Sequence, residues 1–293
     1  LFPSFLLYLI QSQNFQHQLQ VKKVVSAQPG VYLGDIGKIK VNIPEMNEQK
    51  KISDLLLSLN KKIQLQQQKI DLLQEQKKGF LQKMFPKAGE TQPEMRFDGF
   101  TGDWEVNKLN KYLKTSKEKN INEIYSKTDV LSVSGDYGIV NQIEFQGRSF
   151  AGVSVAPYGV VEKGDIVYTK SPLKSNPYGI IKVNKGKVGI VSTLYAIYKV
   201  KANTDANFIE YYFANDFRLN KYLKPLVNKG AKNDMKVSDD NAIVGNVVFP
   251  KGLEEQKKIT AFFNRLDEVI CVQKRKLELL QQQKKGFMQQ MFI

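Results

Sequence analysis

The sequence predicts a mixed α/β domain joined to two long helices that pair as an antiparallel coiled coil. Three observations lead to this fold class. A block of roughly forty residues occurs twice, each copy has apolar residues at alternating three- and four-residue spacing, and the segment between the copies is rich in strand-forming residues. The chain has 293 residues, which is long enough for more than one folded unit.

The repeated block covers residues 48–85 and 255–292. Both copies begin with Glu-Gln-Lys-Lys-Ile and contain Gln-Lys-Lys-Gly-Phe near their ends, at a constant offset of 207 residues. A period this long does not indicate a solenoid. Each repeat is therefore expected to be a whole domain followed by one helix.

The apolar residues of each copy follow the seam of a coiled coil. They are Ile52, Leu56, Leu59, Ile63, Ile70, Leu73, Phe80 and Met84 in the first copy, and Ile259, Phe263, Leu266, Ile270, Leu277, Leu280, Phe287 and Met291 in the second. Polar residues interrupt both seams at the same positions, Gln66 with Gln273 and Lys77 with Lys284. We expect the two helices to pair with each other; the alternative is that each packs on its own domain.

The length of the two helices predicts the distance over which the pair would separate two domains. A helix of about 36 residues is roughly 54 Å long, or about one and a half turns of B-DNA. Two such helices joined through globular domains are expected to run antiparallel and to hold two domains at a fixed distance.

The order of parts follows from the repeat. Residues 1–47 are expected to be the C-terminal remnant of a first domain, because 4–10 resembles 207–213 and a strand-rich tail follows each, at 39–44 and 244–250. The front of that domain is expected to be absent, so residues 1–47 are not expected to bury a full core alone. The remaining predicted parts are a first helix at 48–86, a linker at 87–102, a second domain at 103–250 and a second helix at 251–293.

The central domain is predicted to be mixed α/β. Runs of β-branched and aromatic residues bounded by Gly, Asn or Asp predict strands at 129–134, 139–145, 165–168, 179–183 and 189–200. A short helix through Leu109 and Leu113 is expected before them, and a helix over 207–223 after them.

Charge favours a nucleic-acid partner. The formal net charge is +15 and the pI is about 9.5. Residues 163–201 contain eight lysines and the single acid Asp165, and residues 218–236 contain six basic residues and the single acid Asp234. Positive charge with few compensating acids suits contact with phosphates.

The remaining composition excludes several classes of site. One cysteine, Cys271, argues against a disulfide framework and fits a reducing, cytoplasmic environment. One histidine, His17, leaves no basis for a Cys/His zinc site or a Ser-His pair, so no metal site is expected. There is no Gly-rich phosphate loop and no Pro-Pro sequence, which argues against a catalytic centre. The apolar start at 1–10 is too short to span a bilayer.

At the helix ends the sequence resembles the specificity subunits of type I restriction-modification systems. The resemblance covers essentially the whole chain, and it is carried by Glu48–Ile52 and Glu255–Ile259, Gln76–Phe80 and Gln283–Phe287, the domain opening Pro93–Trp104, and the segments 164–168 and 189–192. In that family two target-recognition domains alternate with two helices. The truncated first domain is the departure from this pattern.

The resemblance implies a non-catalytic DNA-recognition subunit. It would recognise a half-site through its domain, set the spacing of half-sites with the paired helices, and dock methyltransferase and restriction subunits. The resemblance also implies double-stranded DNA as a partner, a homodimer as one way to supply two recognition domains, and no membrane. S-adenosylmethionine, and ATP with magnesium, are expected on the partner subunits, and no cofactor is expected in this chain.

Residues that contact DNA are expected in the loops between strands, because recognition of bases needs polar side chains at base edges. They are Ser134, Tyr137, Gln142, Arg148, Lys170, Ser171, Lys174, Asn176, Tyr178, Lys229, Lys232 and Lys236. The loop around Lys170 and Lys174 is preferred, whereas Lys229, Lys232 and Lys236 are expected to contact phosphates. The alternative for each is an ordinary solvated side chain.

Two other classes of function stay open from the sequence. A coiled-coil adaptor that binds only protein would have no affinity for duplex DNA at moderate salt. A fused enzyme or a non-specific binder would show turnover or equal binding to any sequence.

Overall fold

The computed structural model describes residues 1–22, 30–173, 175–229 and 235–292. The chain divides into two compact units, each described by itself: unit 1, of residues 1–75 and 266–293, and unit 2, of residues 76–265. The helices are α1 (Pro3–Gln11), α2 (Gln13–Val21), α3 (Leu33–Ile36), α4 (Met46–Lys83), α5 (Gln142–Gln146), α6 (Ala206–Tyr212), α7 (Asp216–Leu223) and α8 (Leu253–Met291). Both long helices, α4 and α8, contribute residues to each unit.

Unit 1 consists of helices α1 to α3, the first part of α4 and the last part of α8. Pro3 is the first residue of α1, a position whose amide hydrogen has no partner within the helix, so proline loses nothing there. The Ser12 hydroxyl caps α2 by accepting from the amide of Phe15 at 3.3 Å. The core is formed by Phe5, Tyr8, Leu9, Ile52, Leu56 and Phe292.

The two long helices pair along their seams within unit 1. Ile52 and Leu56, near the start of α4, cluster with Phe287 and Met291 at the end of α8. Further along α4, Gln66 contacts Gln273. Higher numbers in α4 therefore meet lower numbers in α8, and the predicted antiparallel coiled coil is confirmed.

Unit 2 is built on antiparallel strand pairs. Its strands are β1 (Glu105–Lys108), β2 (Leu113–Thr115), β3 (Leu131–Ser134), β4 (Gly138–Asn141), β5 (Gly159–Val161), β6 (Ile166–Thr169), β7 (Ile181–Val183), β8 (Gly189–Val191), β9 (Tyr195–Val200), β10 (Asn228–Lys229), β11 (Met235–Lys236) and β12 (Asn246–Phe249). A four-stranded sheet has the order β2-β9-β6-β7, and separate pairs join β1 with β12, β3 with β4, β5 with β8, and β10 with β11. With helices α5 to α7, the predicted mixed α/β class is confirmed.

Aromatic residues fill the core of unit 2. The ring of Phe85 lies 5.6 Å from that of Phe208 and 6.2 Å from that of Trp104. Phe208 in turn lies 5.0 Å from Phe249 on β12. These side chains are nearly inaccessible to solvent, and they join the end of α4 and helix α6 to the β1–β12 pair.

The same contacts are built once in each unit. The backbone amide of Phe2 donates to Gln49 Oε1 at 2.9 Å, and that of Asp205 donates to Gln256 Oε1 at 3.0 Å. Gln49 and Gln256 are equivalent in the repeat. Phe5 contacts Phe292 at 5.2 Å, as Phe208 contacts Phe85, and Phe85 and Phe292 are also equivalent. Helix α1 therefore packs in unit 1 as α6 packs in unit 2.

Several predicted elements differ in their boundaries because side-chain caps interrupt them. The predicted strand 139–145 ends at Asn141, whose Oδ1 accepts from the amides of Ile143 and Glu144 and starts α5. The predicted helix 207–223 is two helices, since Asn215 caps α7 through the amide of Arg218. The predicted strand 189–200 breaks between β8 and β9, and the short helix at Leu109 continues directly into β2.

The strand predicted at 39–44 does not form within the described residues. A strand needs a partner for its amides and carbonyls. Its counterpart in unit 2, β12, has that partner in β1, and no described strand occupies this position beside residues 40–43.

Candidate nucleic-acid interface

The residues predicted to contact DNA belong to unit 2, and those that the structure describes lie in the connections between its strands or on the strand ends beside them. Ser134 and Tyr137 are in the β3–β4 hairpin, Gln142 begins α5, and Arg148 follows α5. Between β6 and β7 lie Lys170, Ser171, Asn176 and Tyr178. Lys229 and Lys236 lie on β10 and β11, whereas Lys174 and Lys232 lie outside the described residues.

The β3–β4 hairpin presents Tyr137 to solvent. The Ser134 hydroxyl accepts from the amides of Asp136 and Tyr137, both at 3.3 Å, and closes the turn. The Tyr137 side chain is 70% exposed, and its ring centroid lies 5.4 Å from that of Phe145 on α5. Tyr137 thus lies beside a neighbouring aromatic ring while most of its surface stays exposed.

Gln142 is used within the domain. Its Nε2 donates to the Ser132 hydroxyl at 3.1 Å, and its Oε1 accepts from the amide of Phe150 at 2.7 Å. Both ends of the amide therefore have partners. In this arrangement Gln142 positions the segment after α5 more directly than it offers groups to a base.

That segment carries an exposed cationic and aromatic pair. The Arg148 guanidinium lies 4.6 Å from the ring centroid of Phe150, and both side chains are exposed. A guanidinium held over an aromatic face keeps its fork of donors available for planar recognition. Arg148 is thus an exposed cation whose guanidinium is held beside an aromatic ring.

Lys170 forms an ion pair. Its Nζ lies 2.9 Å from Asp239 Oδ1, and the lysine side chain is 18% exposed. The Asp239 carbonyl also accepts from the Tyr198 hydroxyl at 2.8 Å. This ion pair ties the β6–β7 loop to the segment that follows the β10–β11 hairpin.

The β6–β7 loop is closed by its own backbone. Leu173 and Asn176 exchange amide-to-carbonyl bonds of 3.0 and 3.2 Å. The Asn176 side chain is buried and donates to Asp216 Oδ1 at 2.9 Å. The loop ends at Gly179, whose φ is +90° and where an added Cβ would collide with the carbonyl oxygen of Thr169. Asn176 thus anchors the loop rather than facing solvent, while Ser171 and Tyr178 are half-buried.

The β10–β11 hairpin brings two predicted phosphate-contacting positions together. Asn228 pairs with Lys236 and Lys229 with Met235, antiparallel. Lys236 is the residue after the one that faces Lys229 on the adjacent strand, so the backbones of the two lysines lie close together. The third lysine predicted to contact phosphates, Lys232, lies outside the described residues.

Part of the basic character of residues 163–201 is neutralised within unit 2. Lys185 Nζ lies 2.7 Å from Glu210 Oε2, and Lys199 Nζ lies 2.6 Å from Glu162 Oε2 and 2.9 Å from Asp165 Oδ2. Burial opposes the charge of Lys199, but its bonds to the two acids outweigh burial and raise its pKa. Fewer lysines are thus available to phosphates than the sequence count indicates.

The sequence analysis did not single out the apolar residues on the outer faces of the long helices. Within unit 1, Leu65 and Leu72 on α4 are 54% and 66% exposed, and Val272 and Leu279 on α8 are 62% and 59% exposed. Leu65 is equivalent to Val272 and Leu72 to Leu279 in the repeat. The repeat alignment alone would have shown this apolar pair outside the seam.

The described residues contain no cluster of His, Cys, Asp or Glu that could hold a metal ion. A search of the same residues for a helix long and apolar enough to cross a membrane also finds none.

Residues 2–75 match the model of the type I restriction modification DNA specificity domain. A curated relative from Methanocaldococcus jannaschii, named as a candidate type I restriction enzyme MjaX specificity subunit, is 24% identical over 303 residues, which cover 98% of this chain and 66% of that protein. The chain therefore spans about two thirds of the length of that relative.

Solved structures with this fold include two specificity subunits. The HsdS subunit from Thermoanaerobacter tengcongensis is 18% identical, with a TM-score of 0.51, and the match covers 98% of this chain and 68% of that one. The type I restriction-modification S subunit from M. genitalium is 15% identical, with a TM-score of 0.55 and coverage of 100% and 73%. The predicted resemblance to type I specificity subunits is confirmed.

Proposed function

We propose that the chain, as a type I restriction-modification specificity subunit, recognises one half of a bipartite DNA sequence through the loops of unit 2. The observation that carries this proposal is the exposed arrangement of Tyr137, Arg148 and Phe150 beside strands that hold them. Arg148 supplies paired donors for a base edge, which suit guanine. Lys229, Lys232 and Lys236 supply positive charge for phosphates.

The paired helices set the spacing of the half-sites and dock the partners. The two outer apolar pairs, Leu65 with Leu72 and Val272 with Leu279, are each seven residues apart and therefore lie on one face of their helix. Exposed aliphatic residues that recur at equivalent positions favour two copies of one partner, each bound to one helix. The methyltransferase subunit is the proposed partner at these two positions, and restriction subunits join through it.

Chemistry is assigned to the partner subunits. The methyltransferase would bind S-adenosylmethionine and extrude the target adenine from the duplex, and the restriction subunit would use ATP with magnesium. The role of this chain is to choose the site. A homodimer is a further way to bring two recognition domains to one DNA.

Methylation mapping tests the proposal. The chain is co-expressed with a cognate methyltransferase, and methylated adenines are mapped across the host genome. A sequence motif that depends on this chain supports the assignment, and a bipartite motif supports the spacing role. Methylation that is absent or independent of the chain would contradict it and favour the protein-only adaptor.

Two alanine variants refine the test. Lys170→Ala with Lys174→Ala is expected to weaken site-specific methylation, because the first change also releases the loop from Asp239. Unchanged methylation in that double variant would remove these lysines from the interface. Lys163→Ala with Lys187→Ala serves as the matched control, since both are exposed lysines of the same stretch.

A further inference from the structure

Unit 2 brings lysines from distant parts of the sequence to the ring of Tyr211 on α6. Lys77 Nζ, on α4, lies 5.4 Å from the centroid of this ring. Lys185 Nζ, in the turn between β7 and β8, lies 5.3 Å from the same centroid. Two ammonium groups are therefore placed at one aromatic ring.

The ring of Tyr211 is held firmly by its neighbours. It is stacked with the ring of Phe263 on α8, with centroids 5.0 Å apart, and its hydroxyl donates to Asn264 Oδ1 at 2.8 Å. Tyr211 is 3% exposed. Because burial and these two contacts fix the ring, it gives the ammonium groups a defined position.

A carboxylate and a third lysine complete the cluster. Glu210 is 8% exposed, and its Oε2 lies 2.7 Å from Lys185 Nζ. Lys182 is the middle residue of β7. Burial is the main reason that the pKa of Lys182 lies below its ordinary value; Glu210 opposes this shift, and the positive charges of Lys77 and Lys185 increase it. The three lysines are thus close enough for their charges to act on one another.

The cluster adjoins the candidate nucleic-acid interface. Strand β7 lies beside α6 and also beside β4 of the β3–β4 hairpin. Asp136, in the turn of this hairpin, is near enough for its charge to act on Lys182. The next residue is Tyr137, whose exposed ring belongs to the candidate interface. Positive charge is therefore placed directly beside the hairpin that is proposed to contact bases.

This arrangement is unfavourable for the chain alone. Lys77 and Lys182 are half-buried, and like charges at a partly buried site repel each other. An anion would relieve that repulsion, and the oxygens of a phosphate accept charge-assisted hydrogen bonds from several ammonium groups at once. Charged groups kept in a costly environment are typical of functional sites.

We propose that Lys77, Lys182 and Lys185 form one site for a backbone phosphate of double-stranded DNA, beside the bases contacted from the β3–β4 hairpin. This inference rests on the proposed function and adds to it a contact on helix α4, outside the recognition loops. Phosphate contacts fix the position of a protein on a duplex without carrying sequence information. The site would therefore set the register of the hairpin on the DNA. An acidic segment of a partner protein is the competing occupant, and the continuity with the hairpin favours DNA.

The test variant is Lys77→Met with Lys182→Met, which removes two charges and keeps unbranched apolar side chains. Lys185 is retained, because Glu210 would otherwise be buried without its cation. Binding of the full chain to a labelled duplex with the mapped site is followed by fluorescence anisotropy at several salt concentrations. The slope of log K against log salt should fall by about 1, with the same preference among single-base variants of the site.

The matched control removes two charges elsewhere in unit 2. Lys114 is exposed on β2, at the opposite edge of the four-stranded sheet from β7, and Lys163 is exposed in the turn before β6. Lys114→Met with Lys163→Met should leave the salt slope unchanged. An equal fall in both double variants would reduce the effect to net charge and overturn the proposal.

Urea unfolding separates a binding role from a structural one. Lys182→Met alone should keep or raise the free energy of unfolding while it weakens DNA binding, because it removes a buried charge that two neighbouring cations repel. Lower stability with unchanged affinity for DNA would make Lys182 a structural residue and overturn the proposal.

Neutral backbone linkages locate the contact. Among single methylphosphonate substitutions along the mapped duplex, one position should weaken binding of the native chain and leave binding of the Lys77→Met, Lys182→Met variant unchanged. The absence of such a position would overturn the proposal. So would a variant that keeps its affinity for DNA but no longer co-purifies with the methyltransferase, since the lysines would then bind an acidic partner. A native chain that binds no duplex would contradict the proposed function as well, whereas the other outcomes leave that function in place.

Discussion

Gln66 and Gln273 occupy the same position of the two repeats and are hydrogen-bonded to each other. Gln66 Nε2 lies 2.9 Å from Gln273 Oε1 and 3.0 Å from the Gln273 carbonyl oxygen. Gln66 is 7% exposed, so a slipped register would leave its amide buried without this partner. Among antiparallel pairings of the repeats, the observed register brings these equivalent polar positions together.

Replacing Gln66 alone should therefore destabilise the folded chain, whereas replacing Gln66 and Gln273 together should not. Gln66→Leu is expected to lower the free energy of unfolding by about 1–2 kcal/mol, because Gln273 loses a partner in the seam. Gln66→Leu with Gln273→Leu should recover that loss, since two apolar seam residues can pack together. Urea unfolding measures both. Gln74→Leu, at an exposed position of α4, is the control. If the double variant lost as much free energy of unfolding as the two single variants together, the pairing of Gln66 with Gln273 would be contradicted.

Glu255 is expected to be essential for the stability of unit 2. Glu255→Gln leaves the Arg96 guanidinium, whose side chain is 17% exposed, without its anionic partner. Removal of one member of a buried ion pair costs roughly 3–5 kcal/mol. Urea unfolding followed by the fluorescence of Trp104 reports the change. Glu254→Gln, with a side chain 83% exposed, should alter stability by less than about 0.5 kcal/mol.

Arg148 should control specificity more than general affinity. Arg148→Ala is expected to reduce discrimination at one base position by about 1–3 kcal/mol. Arg148→Lys is informative as well, because lysine keeps the charge but lacks the planar fork. Binding assays with the mapped site and single-base variants of it would show the effect. A uniform loss for every sequence would assign Arg148 to phosphate contact instead.

The hairpin lysines should control affinity without changing sequence preference. Lys229→Ala, Lys232→Ala and Lys236→Ala are each expected to weaken binding to specific and non-specific duplexes alike. Each should reduce the slope of log K against log salt by about 1, since one phosphate contact releases about one counterion. Titrations at several salt concentrations provide the slope. An unchanged slope would place that lysine outside the interface.

The outer leucines of the long helices should affect partner binding alone. Leu72→Asp with Leu279→Asp is expected to abolish co-purification with the methyltransferase subunit, because charges would replace exposed apolar contacts. The affinity of the isolated chain for DNA should stay unchanged. Gln74→Asp with Gln281→Asp, an equivalent exposed pair of the repeat, adds the same charge and should leave the complex intact.

Elements with a strong local signal were predictable. The long helices were predicted at 48–86 and 251–293 and extend over 46–83 and 253–291, because their apolar periodicity persists through the whole block. The boundaries inside the central domain were less accurate. Asn141 and Asn215 begin helices by side-chain capping, and a cap competes with strand or helix continuation in a way that periodicity does not show.

In the candidate interface, too, the sequence predicted some features and the tertiary structure was needed for others. Sequence identified the loops, but Lys170, Gln142 and Asn176 look alike as polar loop residues. Only the tertiary structure shows that Lys170 pairs with Asp239, that Gln142 bonds to Ser132 and Phe150, and that Asn176 is buried against Asp216. Each of these partners lies on a different element or segment of the fold, so the composition of the loops could not reveal it.

The sequence by itself determined that two equivalent helices exist and that their seams carry matched polar positions, because these features are local and repeat at a fixed offset. The tertiary structure decided which residues those helices enclose. Glu48 and Glu255 have the same sequence surroundings, yet one is exposed beside a cavity and the other is buried under Arg96 and Trp104. The environment of a side chain depends on which segments pack against it, and that is fixed only when the chain has folded.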